Sequence, residues 1–115
     1  MKNTKEYDNL WYANNKDRIR DKKNKQSRDN RKRNLQYTVD YLRENPCEDC
    51  GKDDYRVLDF DHRKSETKIA AVSDLVRRGF SIEVIQREID KCSIRCSNCH
   101  RIKTAIELGW YKDVK

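Results

Sequence analysis

The run Cys92-Ser93-Ile94-Arg95-Cys96-Ser97-Asn98-Cys99-His100-Arg101-Ile102-Lys103 changes character half-way along. Ser93-Ile94-Arg95 has the make-up of a short strand. Residues 97–108 have that of a helix, closed by Gly109, a residue suited to ending one. Cys96 and Cys99 stand at the junction. Their Cys-x-x-Cys spacing lets two thiolates grip one cation. The same spacing occurs earlier in Cys47-Glu48-Asp49-Cys50, followed by Gly51, which permits the tight turn such a knuckle needs. The two pairs are separated by 45 residues. A tetrahedral zinc site on Cys47, Cys50, Cys96 and Cys99 would join them and add folding free energy that a small core lacks. Cys92 is left over and reads as a small buried hydrophobe, because four thiolates already close a structural site.

Working back from that run, Tyr55-Arg56-Val57-Leu58-Asp59-Phe60 is rich in β-forming residues and predicts a first strand ending near Asp61. Residues 67–78 and 82–90 predict two short helices separated by Gly79, with Ser81 as N-cap of the second. The compact domain is thus expected over residues 46–110, with 111–115 as a tail. Its class is α+β, two strands and a final helix stapled by zinc.

Residues 1–45 are a different material. From about residue 5 to Asn45 there is no glycine or proline, and Pro46 supplies the stop, since the residue before proline is pushed out of the α region. A long helical arm is expected. Its large apolar residues cluster at the two ends, and the spacing of Leu35, Val39 and Leu42 predicts a face docked on the compact domain. Between them, residues 16–33 hold ten basic side chains against three acidic ones. The strongest candidates for phosphate contact are Lys22, Lys23, Lys25, Arg28, Arg31, Lys32 and Arg33.

The whole chain of 115 residues carries a formal charge of +7, and only 35% of it is hydrophobic while 41% is charged. Such a balance points to a polyanionic partner. Nucleic acid is favoured over a membrane surface, because the basic region lacks the apolar face that a membrane helix needs. No segment is long or apolar enough to span a bilayer. The opening Met1-Lys2-Asn3-Thr4-Lys5-Glu6 has no apolar run of signal-peptide length, so reducing cytoplasm is the expected compartment. There, paired cysteines serve metals more readily than disulfides. The arm is also a candidate for homodimer formation.

The chain has two histidines, and each lies beside a candidate metal ligand: His62 follows Asp61, and His100 follows Cys99. Neighbours on a helix point about 100° apart. Cys99 can therefore face the zinc while His100 faces the first strand.

Cys47-x-x-Cys50, Leu58-Asp59-Phe60-Asp61-His62 and Cys96-x-x-Cys99-His100-Arg101-x-Lys103 together resemble the HNH endonuclease family, especially its small phage-type members, over roughly residues 46–108. The resemblance implies a ββα-metal fold and metal-dependent hydrolysis of phosphodiesters, in host cytoplasm for a phage protein. DNA is the first substrate, with RNA and branched DNA as the others. It also implies that Asp61 and His100 hold a catalytic Mg2+ or Mn2+ and that His62 is the general base. Histidine suits that role because its unperturbed pKa lies near neutrality. Arg101 and Lys103 are expected to hold a neighbouring phosphate. Strand alternation puts Asp59 on the same face as Asp61, so it competes for the ligand role. Counting back from Cys96, the position of the family's middle asparagine falls on Lys91. A zinc-containing DNA- or RNA-binding protein without catalysis is the alternative.

Overall fold

The structure is a computed structural model that describes residues 4–115. Residues 1–3 of the expected arm lie outside the described residues. Helix α1 (Thr4–Glu44) is followed by a 3-10 turn at Tyr55–Val57 and strand β1 (Leu58–His62). A second 3-10 turn at Ser65–Thr67 leads to α2 (Val72–Arg77), α3 (Ile82–Ile89), β2 (Cys92–Cys96) and α4 (Ser97–Leu108). The result is mixed α and β, with a two-stranded antiparallel sheet. No helix among the described residues is long and apolar enough to cross a membrane.

Most expected elements form, with shifted ends. β1 starts at Leu58 because Asp54 accepts a hydrogen bond from the Arg56 N–H and winds Tyr55–Val57 into a turn. Ser81 caps α3 through the Val84 N–H, and Gly109 ends α4 at φ +64°. The first of the two short helices is only Val72–Arg77, shorter than the span 67–78 expected for it.

The sheet sorts its side chains by strand alternation. Register pairs Leu58 with Cys96, Phe60 with Ile94 and His62 with Cys92 on one face, and Asp59 with Arg95 and Asp61 with Ser93 on the other. Leu58, Ile94 and Cys96 pack with Leu42 of α1 and with Cys47. Phe60 packs against both this cluster and a second one formed by Val72, Leu75, Val76, Ile85, Ile89 and Cys92. Full burial of an isoleucine such as Ile85 or Ile89 contributes roughly 1.5–3 kcal/mol. The opposite, acidic face of the sheet meets α4.

The face by which α1 docks differs from the one its apolar spacing suggests. Leu42 is buried, but Leu35 is 58% exposed. In its place Asn34 is fully buried, and its amide donates to the carbonyls of Phe80 (2.9 Å) and Val76 (3.3 Å). These belong to the last turn of α2 and the loop after it, where helix carbonyls lack intrahelical partners. Tyr37 donates to Gln86, and Arg33 donates to the Phe80 carbonyl at 3.1 Å. Polar groups thus do work that apolar periodicity assigns to leucine and valine. Beyond this docked end α1 projects into solvent, and the molecule measures 83 × 30 × 22 Å.

Candidate functional site

Gly51 (φ +79°) turns the first knuckle, and the Gly51 N–H donates to the Cys47 carbonyl at 2.9 Å. Cys96 ends β2 and caps α4, its sulfur accepting from the Cys99 N–H at 3.4 Å. These local features bring the sulfurs of Cys47, Cys50, Cys96 and Cys99 within 4.8 Å of one another. Cys50 and Cys96 Sγ are 3.7 Å apart. A zinc ion with Zn–S bonds of about 2.3 Å separates its sulfurs by about 3.8 Å in a tetrahedron, so the spacing fits. Burial opposes ionisation of Cys47, but backbone N–H groups of Cys96, Cys50 and Asp49 aim at its sulfur and lower its pKa to about 6. Cys99 is pushed up by the neighbouring Cys96 and Cys50 sulfurs. A cation is what allows all four to be thiolates at once. Cys92 stands apart from this group, buried and donating to the Glu88 carbonyl at 3.3 Å, and desolvation raises its pKa to about 11.

The acidic face of the sheet carries the second cluster. His100 leaves α4 between two carboxylates: Nδ1 is 3.2 Å from Asp59 Oδ2, and Nε2 is 3.4 Å from Asp61 Oδ1. The other Asp61 oxygen takes Lys103 Nζ at 2.9 Å and Arg95 Nη1 at 2.7 Å. Burial would raise the Asp61 pKa, but the Lys103 ammonium, His100 and Arg95 outweigh it and hold the carboxyl below its ordinary value. Two ligands of one cation at about 2.1 Å lie roughly 3–3.5 Å apart. Asp61 Oδ1 and His100 Nε2 therefore fit a shared cation. Among the described residues, only the four cysteines form a convergent group of three or more potential ligands.

His62 is placed differently. It follows Asp61 by one residue, so alternation turns it to the other face of the sheet, against α3. Its side chain is 8% exposed, and Nε2 lies 3.5 Å from Glu88 Oε2. The structure thus brings Asp61 and His100 together and leaves His62 beside Glu88.

Lys22, Lys23, Lys25, Arg28, Arg31 and Lys32 are all exposed on α1. Arg33 is committed to docking the helix. Arg101 lies over the Trp110 ring, 5.7 Å from its centroid, and Lys103 is held by Asp61 and by Glu107 at 3.6 Å. Lys91, at the position counted for the family's asparagine, donates to Glu88 at 3.0 Å and to the Thr67 carbonyl at 2.9 Å.

Two site residues went unread in the sequence, Arg95 and Glu88. Glu88 had a visible signal: it lies on the helix face of Ile85 and Ile89, where an acid must find a partner. Comparison of the chain with protein-family models, with curated proteins and with solved structures finds no match.

Proposed function

We propose that this protein is a metal-dependent endonuclease of the HNH kind that hydrolyses phosphodiesters in DNA. The observation that carries the reading is the His100 imidazole set between Asp59 and Asp61, on a helix whose first turn belongs to the four-cysteine frame. A rigid frame beside a carboxylate and imidazole pair is what a hydrolytic metal site requires.

In this reading Asp61 and His100 hold a divalent Mg2+ or Mn2+, which would offset the charge that builds on the phosphate and on the departing 3′ oxygen. His62 is assigned the proton of the attacking water. Its ring lies on the other face of β1 from Asp61 and His100, 3.5 Å from Glu88, so it would act from the end of the strand and not from the face that carries the cation. The oxygen attacks phosphorus in line, the P–O3′ bond breaks, and the 3′ oxygen leaves with a proton from solvent. Lys103 and Arg101 lie on the helix that carries His100 and hold the entering phosphate. The exposed cations of α1 gather the polyanion by counterion release, with little sequence preference.

The alternative is a zinc-containing DNA- or RNA-binding protein without catalysis. One observation favours it: the His62 ring is packed against Glu88 rather than beside Asp61 and His100. A single assay separates the two. Supercoiled plasmid incubated with the zinc-loaded chain and Mg2+ or Mn2+ should become nicked or linear, and His62→Ala and Asp61→Asn should lose this activity while keeping zinc. Salt-sensitive binding with no cleavage under either ion would establish the alternative. Single-stranded DNA, RNA and branched DNA in parallel reactions assign the substrate.

A further inference from the structure

Glu88 is among the most deeply buried charged groups of the described residues, 2% exposed on the inner face of α3. A buried carboxylate survives only where its charge is answered. Lys91 Nζ lies 3.0 and 3.2 Å from its two oxygens, and the Ile69 N–H donates to Oε1 at 3.2 Å. These contacts outweigh burial and hold its carboxyl below the ordinary glutamate value. They also fix its direction, since Lys91 is itself pinned by the Thr67 carbonyl. What the anchored carboxylate faces is His62: Oε2 is 3.5 Å from Nε2, and Nε2 is the one buried side-chain polar atom among the described residues without a hydrogen-bond partner.

We propose that Glu88 is the positioning residue for His62: its carboxylate accepts the Nε2–H, fixes the ring and its tautomer, and leaves Nδ1 as the nitrogen free to take up a proton. The consequence for cleavage rests on the nuclease reading above. The contact itself does not.

Nε2 is enclosed and faces an anion, so it is the nitrogen that carries hydrogen in the neutral ring. Only Nδ1 then keeps a lone pair. A carboxylate behind an imidazole does the same in other hydrolytic sites, where it sets the tautomer and orientation of the base without taking the proton itself. Here the carboxylate comes from α3, outside the two strands and α4. Lys91, in the place counted for an asparagine, reaches His62 only through Glu88. The proposed brace lies three residues before that place, at the end of α3.

Long-range 15N–1H NMR of the zinc-loaded, 15N-labelled full chain, recorded well above neutral pH, tests the contact directly. With two histidines in the chain, the spectrum of His62→Gln identifies the His62 signals by their loss. The wild-type ring should be the Nε2–H tautomer, and Glu88→Gln, which keeps an acceptor oxygen, should retain it. Glu88→Leu should shift the ring toward a tautomer mixture and lower kcat by about 10²–10⁴-fold, the range a general base supplies, with KM changed much less. An Nδ1–H ring in the wild type would overturn the proposal whether or not any variant folds. So would an unchanged tautomer in folded Glu88→Leu. If the wild type shows the Nε2–H ring but cleaves no nucleic acid with Mg2+ or Mn2+, the contact stands and the nuclease reading falls.

Discussion

Arg95 Nη1 lies 2.7 Å from Asp61 Oδ2, and the same guanidinium holds Asp49 Oδ2 through Nε at 2.9 Å. Asp49 sits between the two cysteines of the first knuckle, so one side chain joins the zinc frame to the carboxylate assigned to the catalytic cation. Both partners of the Arg95–Asp61 pair are mostly shielded from solvent, which makes the tie stiffer and less screened than a surface ion pair. Arg95→Met keeps much of the stem and removes both ties. It should cost about 1–3 kcal/mol in urea melts, the range for leaving a buried acceptor short of a partner. Cleavage should fall about 10–100-fold through the misplaced Asp61, with zinc content unchanged. Wild-type cleavage in a destabilised Arg95→Met would show that the tie serves stability alone.

The zinc frame makes the sharpest prediction about the cysteines. Zinc per chain should be close to one, and a strong chelator should abolish the cooperative melt of the compact part, because two of the four ligands, Cys47 and Cys96, are themselves buried members of a small core cluster. Cys50→Ser should bind zinc much more weakly and melt earlier. Cys92→Ala should keep full zinc and lose only packing, roughly 1 kcal/mol. Metal analysis and calorimetry on the two variants separate ligand from filler.

How far the sequence could be read depended on the kind of signal. The four cysteines, the existence of a strand through Leu58–Phe60, the helix from Ser97 and the placement of His100 toward β1 follow from short-range spacing, and spacing survives folding. The strand's start, expected at Tyr55, is set by the Asp54 turn instead. The apolar period misplaces the docking of α1 at Leu35, because a buried amide, Asn34, makes the contact with α2 and the loop after it. Asn34 carries no periodic mark, and its partners are backbone carbonyls more than forty residues away. The direction of His62 is a matter of strand parity, available as soon as Asp61 is turned toward α4. Its partner Glu88 was visible only as an acid out of place on an apolar helix face.

Acid should unfold this protein through identifiable carboxyls. Glu88 and Asp61 both have folded pKa values below their ordinary ones, since Lys91 in one case and Lys103 in the other outweigh burial. A group depressed on folding stabilises the folded state above its unfolded pKa, about 4 for these types, and loses that contribution as pH falls through the folded value. Urea midpoints should therefore hold steady down to about pH 5 and drop below about pH 4. Glu88→Gln should start lower and drop less over the same range. Zinc measured in the same samples keeps thiol protonation separate from the carboxyl effect, and equal slopes for the two proteins would remove Glu88 from the account.

Asp59 and Asp61 share one face of β1, and His100 distinguishes them. A histidine that ligates a metal through one nitrogen is commonly oriented by a carboxylate at the other. Asp61 meets Nε2 and is mostly buried, braced by Arg95 and Lys103, whereas Asp59 meets Nδ1 from a more exposed position. The more rigid carboxylate is the better ligand, which leaves Asp59 as the group that holds the ring. Asp61→Asn should therefore abolish Mn2+ binding at this site, followed by titration calorimetry on the zinc-loaded chain, and abolish cleavage with it. Asp59→Asn should keep both, with affinity and rate reduced about 10–100-fold, and raising Mn2+ should recover part of the rate. The reverse pattern, a silent Asp61→Asn and a dead Asp59→Asn, would exchange the two roles and move the cation to the Nδ1 side of His100.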